Sequence, residues 1–463
     1  AVDGALISGK EETIITSVST DSNKTEEGSL FIPIIGERVD AHDFIDSAFA
    51  NGAAAVFTSR EITDFMQDKV YIKVKDTVKA LQSLASCYRD RFSLPVIGVT
   101  GSVGKTTTKE MIAKALEPRY KVLKTAGNMN SQIGLPLMMF QIEKTYDIAV
   151  IEMGMSDFGE MERLCAIAKP TMAVMTNIGV SHMAQLKTQE NIRKEKLNII
   201  NEFDDSGILY VNGNDKLLRE IKEYTKKPQN SVTIDISKTT ENKLKQTTVY
   251  SYGTWQECDY KAGNISSTGE GTKFTYESKD GEAEIELGVL GEHNVFNGAV
   301  ALAIAEHFGV PLKEAEEALK EYRPIAMRGQ IKEIHGMKFI DDTYNASPDS
   351  MKSGIMVLLD LQSRRKVAVL ADSRELGESS HQLHYEVGEF IAGKDVDLVV
   401  TIGKEAKAIA EAIAEKDKTI MTASFDENKE AVRYLKENLE PGDAVLVKGS
   451  RGMHTEEILS QLS

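Results

Sequence analysis

Cysteine is scarce in this chain: Cys87, Cys165 and Cys258 are the only three in 463 residues, and no two form a C-x-x-C pair. That spacing excludes a disulfide framework or a cysteine zinc site and suits a reducing compartment. Basic residues are also short, with 55 Lys and Arg against 71 Asp and Glu and a formal charge of -16. Nucleic acid and anionic membrane surfaces, which reward clustered positive charge, are therefore excluded as main partners. No apolar run approaches the roughly 18 residues that span a bilayer, so membrane insertion is not expected. The opening Ala1-Val2-Asp3-Gly4 has neither the basic region nor the apolar core of a secretory signal. It reads as the middle of a folded element, with the native start expected upstream. Tandem repeats and low-complexity tails are absent too. With 41% hydrophobic and 27% charged residues, the composition is that of a folded cytoplasmic protein. At about 150 residues per domain it should hold roughly three domains.

The pattern of apolar runs divides the chain. Ser29–Pro33 and Gly52–Phe57, with a helical pattern over 41–50 between them, form a small α/β unit in residues 1–76. From Thr77 a helix leads to Pro95, and three buried strands follow at Val96–Thr100, Ile148–Ile151 and Met172–Met175. Each is followed by a helical segment, the signature of a parallel sheet with crossover helices. Residues 229–290, rich in Thr, Ser, Tyr and Gly with alternation at Lys273–Tyr276, suggest antiparallel strands at one flank. Helical periodicity returns over 293–308, and Pro311 opens another helix. This makes a central domain of residues 77–322. A second strand–helix series (Lys338–Ile340, Val367–Leu370, Leu398–Thr401, Ala444–Val447) gives a Rossmann-like doubly wound domain over 323–463. The fold class is α/β in three domains.

The strongest local signal is Gly101-Ser102-Val103-Gly104-Lys105-Thr106-Thr107, which follows a strand and opens a helix. That is the setting of a phosphate-binding P-loop. Its glycines let backbone N–H groups turn toward phosphate oxygens, and the helix N-terminus adds positive potential. Lys105 is placed to reach the β/γ-phosphates and Thr106 to offer a hydroxyl to Mg²⁺. Glu152 closes the next strand; an acid there either faces the same crevice as a metal ligand or meets solvent. His182, after the third strand, emerges at the same edge, where a plain loop or cap role is the alternative. Lys196 lies four residues from both Ile192 and Ile200 and so points inward with them, as a ligand-site residue or as a snorkelling lysine. Lys194 does not share that face. Asn294 suits a helix N-cap, whereas Asn297, inside the helix, suits a contact to an adenine edge.

The T-G-S-x-G-K-T-T form, with Val99 where P-loops usually carry Gly or Ala, resembles the Mur ligase family, enzymes that activate a carboxylate with ATP and join it to an amine. The resemblance implies ATP and two Mg²⁺ ions. It implies Thr106, Glu152, His182 (of Asn-x-x-x-x-His) and Lys196 as metal-site residues, with Lys196 carbamylated by CO₂. The second Asn of His-Asn-x-x-Asn, Asn297, would read adenine beside Asn294. Arg328 would meet the γ-phosphate and Asp342 the ribose, making Lys105, Glu152, His182, Lys196 and Arg328 the catalytic set.

Asp341-Asp342-Thr343-Tyr344-Asn345-Ala346-Ser347-Pro348-Asp349-Ser350-Met351 is the version carried by the branch that adds D-alanyl-D-alanine to UDP-N-acetylmuramoyl-tripeptide. The D-N-P-[RK] signature for diamino acid selection is absent. Lys448–Met453, Arg374–Gly377 and Asn128–Pro136 also match that branch, although Ser131 replaces a usual Asn. Thr20-Asp21-Ser22 and Gly36–Ile45 resemble its UDP-binding module, with Asn23 where Arg is usual and Ala41 where Gly is usual. The implied substrate contacts are Asp21, Ser22, Arg38, Asn128, Asn130, Ser131, Tyr344 and Asn345, in a cytoplasmic monomer. One rival is another Mur-type amide ligase, such as a folate ligase, which would lack the UDP module. The other is a P-loop switch, whose ATP turnover would need no amine acceptor.

Overall fold

A computed structural model describes residues 2–226 and 234–463, and it places three sheets in succession along the chain. Ala1 and the start of the 229–290 segment, up to residue 233, lie outside the described residues. The central sheet has nine strands, ordered in space Gly281–Leu287, Thr272–Ser278, Tyr260–Ser267, Thr248–Gly253, Ile208–Asn212, Met172–Met175, Val96–Thr100, Ile148–Glu152 and Val122–Lys124. Neighbours run parallel from Val122–Lys124 across to Tyr260–Ser267, and only the last two pairings are antiparallel. The expected antiparallel flank is thus present but begins later than the composition suggested. Thr248–Gly253 continues the parallel sheet, and a helix at Lys238–Gln246 precedes it.

Two cores sandwich this sheet. On one face the helix Lys105–Leu116 packs through Met111, Ile112 and Leu116 against the Ala-rich helix Glu292–His307. The small side chains at Ala299, Ala301, Ala303 and Ala305 are buried, and they allow close helix–sheet approach. On the other face lie the helices Gly134–Met139, Glu160–Ala168 and Gln189–Leu197. Each fully buried Leu or Ile adds about 1.5–3 kcal/mol of transfer free energy. The strand Val96–Thr100 is flanked by Ile148–Glu152 and Met172–Met175, and the helices that follow it and Ile148–Glu152 leave on opposite faces. A crevice opens at such a switch point, at the carboxyl ends of the strands.

The first sheet has five strands, and the helix Thr77–Arg89 joins it to the central domain. Ala80 and Leu81 pack beneath the first sheet, while Ala85 enters the central core. The C-terminal sheet runs Gln330–Ile334, Met337–Asp342, Asp443–Lys448, Arg365–Ala371, Leu398–Ile402, Met421–Phe425. Its first pair is a hairpin turned by His335 and Gly336, both at positive φ, and all other pairings are parallel. The edge strands Gln330–Ile334 and Met421–Phe425 have no counterpart in the sequence reading. Both are half-exposed with mixed polarity, so they lack the continuous apolar run of a buried parallel strand. Among the described residues no helix is long and apolar enough to cross a membrane.

Candidate functional site

The phosphate loop forms because its strand is fully buried and its two glycines turn the chain. Gly101 (φ 149°) could not carry a side chain, since a Cβ would lie 1.9 Å from Thr176 Oγ1. Gly104 (φ 84°) is the N-cap of the helix Lys105–Leu116. The loop is then clamped from the neighbouring strand end. Asn177 O accepts from Ser102 N at 3.0 Å, Asn177 Oδ1 accepts from Val103 N at 2.9 Å, and Asn177 Nδ2 donates to Val103 O at 3.0 Å. Thr176 Oγ1 donates to Val103 O at 2.6 Å. Sequence reasoning missed this role of Thr176 and Asn177; the signal was their position at the end of the adjacent parallel strand.

Lys105 folds back on the loop, donating from Nζ to Gly101 O at 2.8 Å. Burial pushes its ammonium below the usual lysine range, opposed by Glu152 and Glu375 and reinforced by Arg328. Glu152 is 2% exposed and anchored on three sides. Its Oε2 accepts from Thr106 Oγ1 at 2.8 Å, its Oε1 from Asn130 Nδ2 at 2.7 Å, and its backbone N donates to Thr125 Oγ1 at 2.8 Å. A hydroxyl and a carboxylate at the head of the P-loop helix suit Mg²⁺, which takes one or two protein oxygens and completes its shell with phosphate and water. Among the described residues no three His, Cys, Asp or Glu side chains gather to hold an ion by themselves.

Lys196 is 1% exposed, and Nζ donates to Gly101 O at 3.1 Å from beneath the loop. Burial first, and the neighbouring Lys105 second, hold its amine well below the usual lysine value. Lys194 points the other way, to Asp235 at 3.0 Å on the surface. Asn294 is not the helix cap, a correction to the sequence reading: Gly291 caps the helix, and Asn294 lies within it. Its Nδ2 donates to Leu290 O at 2.7 Å and its Oδ1 accepts from Asn297 Nδ2 at 3.1 Å. Asn297 Oδ1 accepts from Thr108 Oγ1 at 2.8 Å, tying this helix to the P-loop helix.

The C-terminal domain supplies the opposite wall. The Arg328 guanidinium stacks 3.8 Å over the Tyr344 ring. Asp342 is held by Lys448, whose Nζ also donates to Asn345 O at 3.0 Å. Lys448, buried at the end of the adjacent parallel strand, is a further residue that sequence reasoning left without a role. His182 Nδ1 lies 2.9 Å from Glu375 Oε2 across the domain boundary. That contact holds the Glu375 carboxyl below the usual range.

One cavity of about 970 Å³ collects most of these groups: Ser102–Thr107, Asn128, Asn130, Ser131, Glu152, His182, Asn294, Asn297, Arg328, Asp342, Tyr344 and Asn345. Gly101 and Lys196 lie behind its wall and are not among the lining residues. A second cavity of about 430 Å³ in the first domain is lined by Asp21 and Ser22 with Asn23, Ala41, Phe44 and Ser47. Arg38 is not brought to it and stands exposed on the nearby loop.

The loop carrying Glu375 is pinned by buried His384. Its Nδ1 donates to Ser380 O at 2.7 Å, so Nε2 is free to accept from Ser373 N at 3.0 Å, a neutral tautomer. Burial depresses its pKa below the ordinary 6.5; Asp372 and Glu405 pull it up and His381 adds to the depression. The unfolded chain therefore takes up this proton first, so the stability present above about pH 6.5 is lost as pH falls toward the folded-state pKa. Thermal melting is expected to fall more steeply below pH 6.5 in the wild type than in His384→Gln; equal slopes would count against it.

A P-loop in a central sheet, a carboxylate at the next strand end and a doubly wound domain closing over both define a three-domain nucleotide-dependent enzyme of the α/β class. Residues 14–89 match the Mur ligase family catalytic domain, 99–305 the Mur ligase middle domain and 327–451 the Mur ligase glutamate ligase domain. The chain belongs to the Mur ligase family. The UDP-N-acetylmuramoyl-tripeptide–D-alanyl-D-alanine ligase of Bacillus subtilis is 40% identical over 98% of this chain and 94% of its own length. The MurF of Acinetobacter baumannii superposes with a TM-score of 0.85 at 31% identity, over 97% of this chain and 93% of that one. The MurF ligase of Thermotoga maritima in complex with ADP gives 0.83 at 29% identity, over 98% of both chains.

Proposed function

We propose that this enzyme uses ATP to join D-alanyl-D-alanine to the terminal carboxylate of UDP-N-acetylmuramoyl-tripeptide in cytoplasmic peptidoglycan precursor synthesis, and that it acts as a monomer. The work divides among a UDP-sugar-binding domain (1–76), an ATP-binding ligase domain (77–322) and a closing domain (323–463). The observation that carries this reading is the single cavity in which the P-loop, the Thr106–Glu152 pair and Arg328 face one another, with a separate pocket on the first domain. The tripeptide carboxylate attacks the γ-phosphorus, giving an acyl phosphate and ADP. The dipeptide amine then attacks the acyl carbon, phosphate leaves, and the amine proton passes to solvent.

Lys105 swings from Gly101 O to the phosphates, and Arg328, held flat by Tyr344, neutralises charge from the other side. Asn294 and Asn297 present amides to the adenine, and Asp342, tethered by Lys448, meets the ribose. Asn128, Asn130, Ser131, Tyr344 and Asn345 line the route of the peptide substrates. Thr106, Glu152 and His182, which line the cavity, would hold Mg²⁺ together with Lys196, which would reach it from behind the loop as a carbamate; the ion would supply positive charge against the phosphates. Burial favours the uncharged form of the Lys196 amine, the form that adds CO₂: the nitrogen lone pair bonds carbon, one proton is released, and an anionic carbamate results. Docking of the C-terminal domain shields the acyl phosphate from water.

Phosphate release should require the UDP-tripeptide and D-alanyl-D-alanine together; turnover without an amine acceptor would overturn the reading in favour of a switch ATPase. A second test concerns the first domain. Ser47 is exposed on the helix Ile45–Ala50 and lines the smaller cavity, so Ser47→Phe fills that cavity without disturbing the core. The KM for the UDP-tripeptide should rise by about tenfold or more with the KM for ATP unchanged. An unchanged UDP-tripeptide KM would place the uridine end elsewhere.

A further inference from the structure

The loop from Asp372 to Gly377 reaches the central domain with a side chain that the nucleotide contacts leave unused. Glu375 sits at φ 69°, a left-handed conformation that residues with side chains rarely adopt. Such strain persists only where the surroundings over-determine it, and here they do. Asp372 N donates to Ile402 O and Asp372 Oδ1 accepts from Ala406 N. Ser373 is bound by His384 Nε2 and donates to Ala346 O, and Arg374 N donates to Ser450 Oγ. The loop is thus fixed to its own domain by the bonds of the three residues that precede Glu375.

The residue it meets is strained as well: His182 lies at φ 65°. Three contacts tie the two segments. Glu375 Oε2 is 2.9 Å from His182 Nδ1, and Ala184 N donates to Glu375 O at 3.3 Å. Gly377 lies so close that a Cβ there would stand 3.2 Å from Ala184 Cα. The imidazole is turned off the line of a well-formed hydrogen bond, so the buried Nδ1 has a carboxylate beside it without being fully bonded.

We infer that Glu375 is a positioning residue: when the C-terminal domain docks, its carboxylate takes hold of His182 Nδ1 and fixes the ring so that Nε2 faces the nucleotide cavity. The inference rests on the proposed ATP site. A carboxylate on one ring nitrogen sets both the tautomer and the direction of the other, as it does behind histidines that bind metals. Because the carboxylate comes from the closing domain and the histidine from the ATP domain, the site is completed only in the docked arrangement. Domain closure is thereby coupled to chemistry by one side chain.

The test is a double-mutant cycle with Glu375→Ala, His182→Ala and the pair, each first shown to melt cooperatively. Glu375→Ala should lower kcat by about 10–100-fold, the range for removing a partner behind a ligating histidine. The KM for ATP should move by less than about threefold, since the P-loop contacts remain. Glu375→Gln, which keeps an acceptor oxygen, should recover most of the loss. In the His182→Ala background, Glu375→Ala should add less than about a further twofold. Small-angle scattering with a non-hydrolysable ATP analogue and Mg²⁺ should show less compaction in Glu375→Ala than in wild type, a readout independent of turnover. Equal losses in both backgrounds, or normal kcat and compaction in Glu375→Ala beside an impaired His182→Ala, would overturn the inference alone. Undiminished turnover in His182→Ala would instead overturn the place of His182 in the ATP site.

Discussion

Replacing Lys105 with alanine is expected to lower ligation by about a thousandfold while the protein stays folded, because in the proposed reaction the lysine neutralises charge that grows on the transferred phosphoryl group. Its Nζ donates to Gly101 O at 2.8 Å and, at greater length, to Ser102 O at 3.4 Å, and the Gly101 carbonyl keeps a second donor, Lys196 Nζ, when Lys105 is removed. The loop itself is held by Asn177 and Thr176 and does not depend on the lysine. Phosphate release from a variant with wild-type melting behaviour measures the effect. Near-normal turnover would show that the loop is not the phosphate site.

The second large effect separates two lysines that are two residues apart. Lys196→Ala should reduce turnover by about a hundredfold or more, through the loss of the proposed carbamate ligand and of the amine beneath the loop. Lys194→Ala should stay within about twofold, since its pairing with Asp235 is a surface ion pair that contributes little. Because Lys196 also supports Gly101 O, loss of activity alone does not separate a carbamate from a structural amine. Added small carboxylates decide it: partial rescue of Lys196→Ala, together with a carbamate carbon signal in wild type from isotopically labelled CO₂, is the expected result. Absence of both, or the reverse ranking of the two alanine variants, would rule out the carbamate.

Much of the framework could be read locally. The strands Val96–Thr100, Met172–Met175 and Leu398–Ile402 fall where the apolar runs put them, since a strand buried on both faces must be apolar throughout. The P-loop was legible for a similar reason: tight turning by Gly101 and Gly104 and a helix start at Lys105 are properties of consecutive residues. Lys196 was correctly expected to be buried, because helix periodicity sets its face. Its bond to Gly101 O, 95 positions earlier, could not be seen in that pattern.

The sequence by itself therefore determined the buried strands with the helices that follow them, the glycine turn at the head of the helix Lys105–Leu116 and the inward face of Lys196, all of which depend on neighbours within a few residues. Only the tertiary structure decided which polar groups meet. Thr108 and Asn297 bond across 189 positions and Lys448 and Asp342 across 106, and no local periodicity encodes such pairs. The same holds for the reassignment of Asn294 from cap to bridge, which followed from where Gly291 could turn the chain. It holds too for His182 and Glu375, which face one another because two separately folded sheets bring their strand-end loops to one crevice. Their pairing is set by domain packing, and packing is a property of surfaces rather than of adjacent residues.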